Sequence, residues 1–99
     1  MIDSKKLKLF EKKINYKFKN NKLLIQSLTH PSFYLENEKK IKINEFERFE
    51  FLGDRVLGLI IANLLFSKYK NFNEGDLSKK HSYLVQKKFL FKISQELKI

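Results

Sequence analysis

The sequence predicts an all-α domain, and three observations carry that expectation. Apolar residues recur at the helical period wherever a segment is long enough to show one, as at Leu7, Phe10 and Ile14. No stretch of useful length alternates apolar and polar residues as a half-buried strand would. The single proline, Pro31, falls between helical segments rather than inside one.

Taken in order, Asp3 or Ser4 can cap a first helix that Asn15 ends. Tyr16 and Phe18 then alternate with lysines in a short extended connector. Asn20 and Asn21 can cap a second helix carrying Leu23, Leu24, Ile25 and Leu28, and Pro31 closes that segment. Residues 32–44 are polar and lysine-rich, and read as a mobile loop with room for a helical turn at its start. A central helix is expected from Phe46 to about Tyr69. Val56, Leu57, Leu59, Ile60, Ile61, Leu64, Leu65 and Phe66 leave it almost no polar face, which marks it as a buried core helix. Gly53 and Gly58 each cost that helix roughly 1 kcal/mol against alanine, which points to close approach of another backbone there. A turn at 71–75 leads to a helix capped by Asp76 or Ser78, with Leu77, Leu84 and Val85 inward. A last helix from Lys88 carries Phe89, Leu90, Ile93 and Leu97.

Composition narrows the class. Ninety-nine residues make one small domain at most. The absence of cysteine excludes a disulfide framework and thiolate metal sites. The N-terminus has positive charge without the apolar core of a secretory signal. The run from Val56 to Phe66 falls short of the roughly 20 residues that a membrane helix needs. A soluble cytoplasmic protein without a membrane partner is therefore expected. The formal charge of +10 suits a polyanionic partner such as nucleic acid. Lysine far outnumbers arginine, however, a usage that an AT-rich coding sequence would produce by itself, so charge alone leaves the partner open.

The feature that charge does not explain is an acidic stripe inside this basic chain. Glu47, Glu50 and Asp54 stand at i, i+3 and i+7, one face of a helix, with no lysine in the same stripe. A hard divalent cation, which prefers oxygen ligands, would relieve their repulsion. A solvated helix face is the plain alternative for the stripe taken alone.

The residues around the stripe carry a resemblance. The run E-R-F-E-F-L-G-D at 47–54, followed by R-V-L-G, resembles the signature of the ribonuclease III family. L-T-H-P-S at 28–32, N-E-G-D-L-S at 73–78 and L-V at 84–85 agree in order and spacing. One departure is Phe46, where the family usually carries Asn. The resemblance implies an all-helical endonuclease domain that dimerises and cuts double-stranded RNA with Mg²⁺, or Mn²⁺, in the processing of rRNA and mRNA. By motif position it makes Glu50 and Asp54 metal ligands and Glu47 and Glu74 supporting carboxylates, all four belonging to the catalytic site. It makes Phe51 the aromatic that inserts into the partner subunit of a homodimer. Double-stranded RNA is held through backbone and 2′-OH contacts, so lysines can serve without reading sequence. Lys79, Lys80, Lys87 and Lys88 are the expected phosphate-binding strip, a solvated helix surface being equally good.

The family site is completed by an Asp-x-x-Glu pair downstream of the signature. The aspartates here are Asp3, Asp54 and Asp76, and none has Glu three residues on. Residues 1–99 therefore read as a partial endonuclease domain without the downstream helices and the double-stranded-RNA-binding domain, holding half of a metal cage. Such a part leaves apolar surface uncovered, with Phe51, Phe89, Phe91 and Ile99 the candidates. A catalytically silent module that binds RNA or dimerises through the same fold is the alternative. His30 reads as a hydrogen-bonded structural histidine, and His81 as solvent-facing or as a neighbour of RNA phosphate. Glu74, just before Gly75, could equally be a loop residue or part of a helix N-terminus.

Overall fold

Local capping sets where most of the helices begin. A computed structural model describes residues 3–99, which form five α-helices joined by short connections and one 3₁₀ turn, with no strand among the described residues. The helices are α1 (Ser4–Ile14), α2 (Asn21–Leu28), α3 (Glu36–Lys68), α4 (Glu74–Leu84) and α5 (Lys87–Leu97), with the 3₁₀ turn at Pro31–Phe33. The chain divides into two compact units. One comprises residues up to Glu50 together with Leu97–Ile99, and the other runs from Phe51 to Glu96.

For α1 and α2 the expected boundaries hold. Asp3 caps α1, its carboxylate accepting the N–H of Lys6 at 2.8 Å. Asn15 ends the helix in the left-handed region at φ 55°, a conformation that asparagine tolerates. Asn20 caps α2 by accepting from Lys22 and Leu23. The connector between them is held by the Glu11 carboxylate, which accepts the Phe18 N–H at 2.6 Å, and by an edge-to-face contact of Tyr16 and Phe18. Leu7 and Leu24 form the buried apolar centre, and the buried Thr29 is satisfied through the Ile25 carbonyl at 2.6 Å.

The segment read as a mobile loop is mostly helix. After the 3₁₀ turn, α3 starts at Glu36, ten residues before Phe46. The physical reason lies in residue types that a polarity count overlooks. Glu and Lys are good helix formers, and Glu36 and Glu38 complement the dipole of the first turn. Pairs at i, i+3 join Glu36 to Lys39 at 3.0 Å and Lys42 to Glu45 at 3.6 Å.

The second unit corrects the expectation of a buried central helix. In α3 only Leu65 is buried, at 5% exposure, whereas Leu59 and Phe66 are 72% and 74% exposed. Within this unit only α4 and most of α5 are available to cover that helix, so much of its apolar perimeter stays open. Phe51, Phe91 and Ile99 are exposed as expected, but Phe89 is half-buried and packs at 5.1 Å on Tyr83. The glycines do not mark a backbone crossing. Gly53 faces open space, and Gly58 meets the ring of His81 at an ordinary contact distance. His81 is itself a correction: it is half-buried, and its Nε2 lies 2.8 Å from the Gly58 carbonyl. Because a carbonyl only accepts, Nε2 carries the proton.

The turn into α4 is closed by Asn73, not by Asp76 or Ser78. Asn73 Oδ1 accepts the Asp76 N–H at 2.8 Å, and the Asp76 carboxylate accepts the Asn73 N–H at 3.3 Å, a reciprocal capping box. At the end of α3, Tyr69 stacks on Phe72 with centroids 4.5 Å apart, and Lys80 Nζ lies 4.7 Å from the Tyr69 ring centre. The Lys80 ammonium beside Tyr69 holds that phenol below its ordinary value, with Lys68 adding a weaker attraction.

Two outcomes are expected from these contacts. Asn73→Ala removes a cap and lowers stability by about 1 kcal/mol in denaturant melts. Tyr69 titrates below 10.0 when followed by phenolate absorbance, and Lys80→Met returns it toward that value. Since the folded value is depressed, any stabilisation from this contact is present above the unfolded phenol value and fades as pH falls through the folded one.

Candidate carboxylate site

Helix α3 carries the acidic stripe without interruption. Glu47 and Glu50 belong to its part in the first unit, Asp54 to its part in the second. All three are exposed. The ion pairs among the described residues are Glu36–Lys39 and Lys42–Glu45, so Glu47, Glu50 and Asp54 stand unpaired in a chain of net charge +10. Glu74 is the first residue of α4, exposed and likewise unpaired. Asp76, not Glu74, forms the capping box, so the Glu74 carboxylate is left free of that duty.

Glu47 and Glu50 share a cleft within the first unit. It is open, about 390 Å³ in volume, and His30, Ser32, Lys39 and Phe46 also line it. Phe46, in place of the amide the motif led one to expect, offers this cleft a ring and no hydrogen bond. That ring lies 6.3 Å from the imidazole of His30 at an angle of 58°. His30 has the structural role expected of it: Nδ1 accepts the Ser32 N–H at 3.2 Å and caps the 3₁₀ turn. A second, more apolar cleft lies beside it, lined by Leu23, Phe46, Phe49 and Glu50.

The structure thus brings Glu47 and Glu50 to one cleft, while Asp54 continues the same helix and Glu74 starts another. Among the described residues, no three histidine or carboxylate side chains are gathered closely enough to hold a metal ion. The donor set suits a hard cation in kind but not in number. Mg²⁺ keeps several waters and takes one or two carboxylates plus substrate phosphates, so carboxylates are the side chains that such an ion takes. Glu50 and Asp54 are too few for a pair of ions.

The remaining site residues are placed separately. Phe51 is 60% exposed, with the Arg55 guanidinium 4.1 Å from its ring centre. Lys79, Lys87 and Lys88 are exposed, whereas Lys80 is half-buried and engaged with Tyr69. Lys80 is therefore not a free member of a strip. Sequence reasoning missed Lys39 and Ser32 as neighbours of the acidic cleft. The signal for Lys39 was its position seven and eleven residues before Phe46 and Glu50, the same helical face once the helix is known to begin at Glu36.

Comparison with known proteins bears on the family. A family model described as Ribonuclease-III-like matches residues 20–99. Ribonuclease 3 of Rickettsia rickettsii (strain Sheila Smith) is 46% identical over 87 residues, covering 88% of this chain and 38% of the relative. Ribonuclease 3 of Rickettsia felis is 45% identical over the same length, and that of Rickettsia bellii (strain OSU 85-389) 46%, with the same coverage. The chain thus spans 38% of the length of these relatives. No solved structure matches. An all-α architecture, the signature around Glu47, Glu50 and Asp54, and a family match over most of its length agree: the chain belongs to the Ribonuclease-III-like family.

Proposed function

We propose that this chain supplies part of the site of a Mg²⁺-dependent endoribonuclease that hydrolyses phosphodiester bonds in double-stranded RNA, in the processing of rRNA and mRNA. The observation that carries the reading is the row of unpaired, exposed carboxylates in a strongly basic chain, at the positions of the family signature. Glu50 and Asp54 are the metal ligands, Mn²⁺ being able to replace Mg²⁺. Glu47 and Glu74 are the supporting carboxylates by motif position. The ion, when bound, polarises the phosphate and lowers the pKa of attacking water. Since a pair of ions needs more carboxylates than these residues bring together, full activity requires oxygen ligands from further polypeptide. The exposed apolar perimeter of α3 and the exposed Phe51 support the same view, as surfaces that a second subunit and additional helices would cover. The protein acts as a homodimer in the cytoplasm. No helix among the described residues is long and apolar enough to cross a membrane.

A catalytically silent RNA-binding or dimerisation module is the second reading, favoured by the lack of any three-ligand group among the described residues. It expects RNA binding that weakens with salt and is indifferent to Mg²⁺.

Cleavage of a long double-stranded RNA in Mg²⁺ separates the two. Cutting is expected to fall about 100-fold or more in Asp54→Asn and in Glu50→Gln, comparable to removing one preorganised electrostatic stabiliser. RNA that binds but stays intact at every Mg²⁺ concentration, with the native chain and also with a longer polypeptide that supplies the further oxygen ligands, selects the silent module instead.

A further inference from the structure

The cleft beside Glu47 and Glu50 is acidic on one wall, and a phosphodiester brought against it meets two negative charges. A strand can lie there only if other groups in the cleft donate hydrogen bonds to it. Three lining side chains can donate: His30, Ser32 and Lys39. Ser32 is engaged, its hydroxyl 2.8 Å from His30 Nδ1. Lys39 is partly compensated by Glu36 at 3.0 Å.

His30 is anchored through one nitrogen and free at the other. Nδ1 accepts the Ser32 N–H at 3.2 Å, which closes the 3₁₀ turn Pro31–Phe33. A ring nitrogen that accepts carries no proton, so in the neutral imidazole the proton sits on Nε2. Nε2 has no hydrogen-bond partner among the described residues. The cap and the Phe46 ring, 6.3 Å away, hold the imidazole beside the turn of α3 that leads into Glu47. A donor with no acceptor among the described residues therefore belongs to a ring that lines the acidic cleft.

We infer that His30 is an RNA-positioning residue, whose Nε2–H donates to a non-bridging phosphate oxygen of a strand lying in the cleft beside Glu47 and Glu50. This inference rests on the proposed RNA-cleaving function and adds to it a group that orients the phosphate. The carboxylates cannot do that, because they only accept.

The two roles of His30 separate by substitution. His30→Asn keeps an acceptor near the place of Nδ1, and hence the cap, while removing Nε2. His30→Gln extends an amide N–H to about the place of Nε2 but gives up the Nδ1 acceptor. The readout is the dissociation constant for a short labelled RNA duplex, measured by fluorescence anisotropy in metal-free buffer. His30→Asn is expected to weaken binding about tenfold, as loss of a hydrogen bond to a charged group does. His30→Gln is expected to bind like the native chain. A residue that only caps the turn gives the reverse order, with Asn harmless and Gln harmful, and that order overturns the inference. Native-strength binding by His30→Asn also overturns it and leaves the proposed function standing. Failure of the native chain to bind the duplex at all overturns both. Imidazole nitrogen NMR of the native chain checks the same contact without a substitution: the Nε2 resonance moves when duplex is added, and an unmoved resonance contradicts the inference.

Discussion

The unbroken run of α3 from Glu36 to Lys68 is the constraint on which the rest of this chain depends. A continuous helix fixes the angle between successive side chains. Glu47, Glu50 and Asp54 therefore remain on one stripe whatever the loops do. The early start at Glu36 matters as much as the signature itself. It turns Lys39 from a loop residue into a wall of the acidic cleft, and it places Phe46 where its ring meets His30. The site's polar neighbours are thus a consequence of helix length.

The same helix sets which apolar surface stays open. Its apolar residues lie on nearly every side, and the other helices bury Leu65 while leaving Leu59, Phe66 and Phe51 open. Like charges on a stripe are tolerable while they face water.

Much of this was legible from the residues. The caps at Asp3, Asn15 and Asn20 follow from side chains that compete for backbone groups, and each acts where its position indicated. The acidic stripe was legible because spacing on a helix is a matter of counting. Polarity misled at residues 36–44, where Glu and Lys pairs support a helix that looks like a loop. It misled again at Asn73, where the reciprocal bond with Asp76 decides the cap and neither residue announces it alone. Hydrophobicity misled at Val56–Phe66, because an apolar sequence says that a surface wants cover and not that the chain provides it. The hydrogen bond from His81 to Gly58, 23 residues away in sequence, left no local signal at all.

The measurement that tests this account most directly is a Mn²⁺ titration of the chain followed by the paramagnetic broadening of its backbone NMR signals. Glu50 and Asp54 as a metal site predict saturable broadening centred on those two turns of α3, removed by Glu50→Gln combined with Asp54→Asn. Broadening that is diffuse over the acidic surface, or that survives the double substitution unchanged, would contradict it.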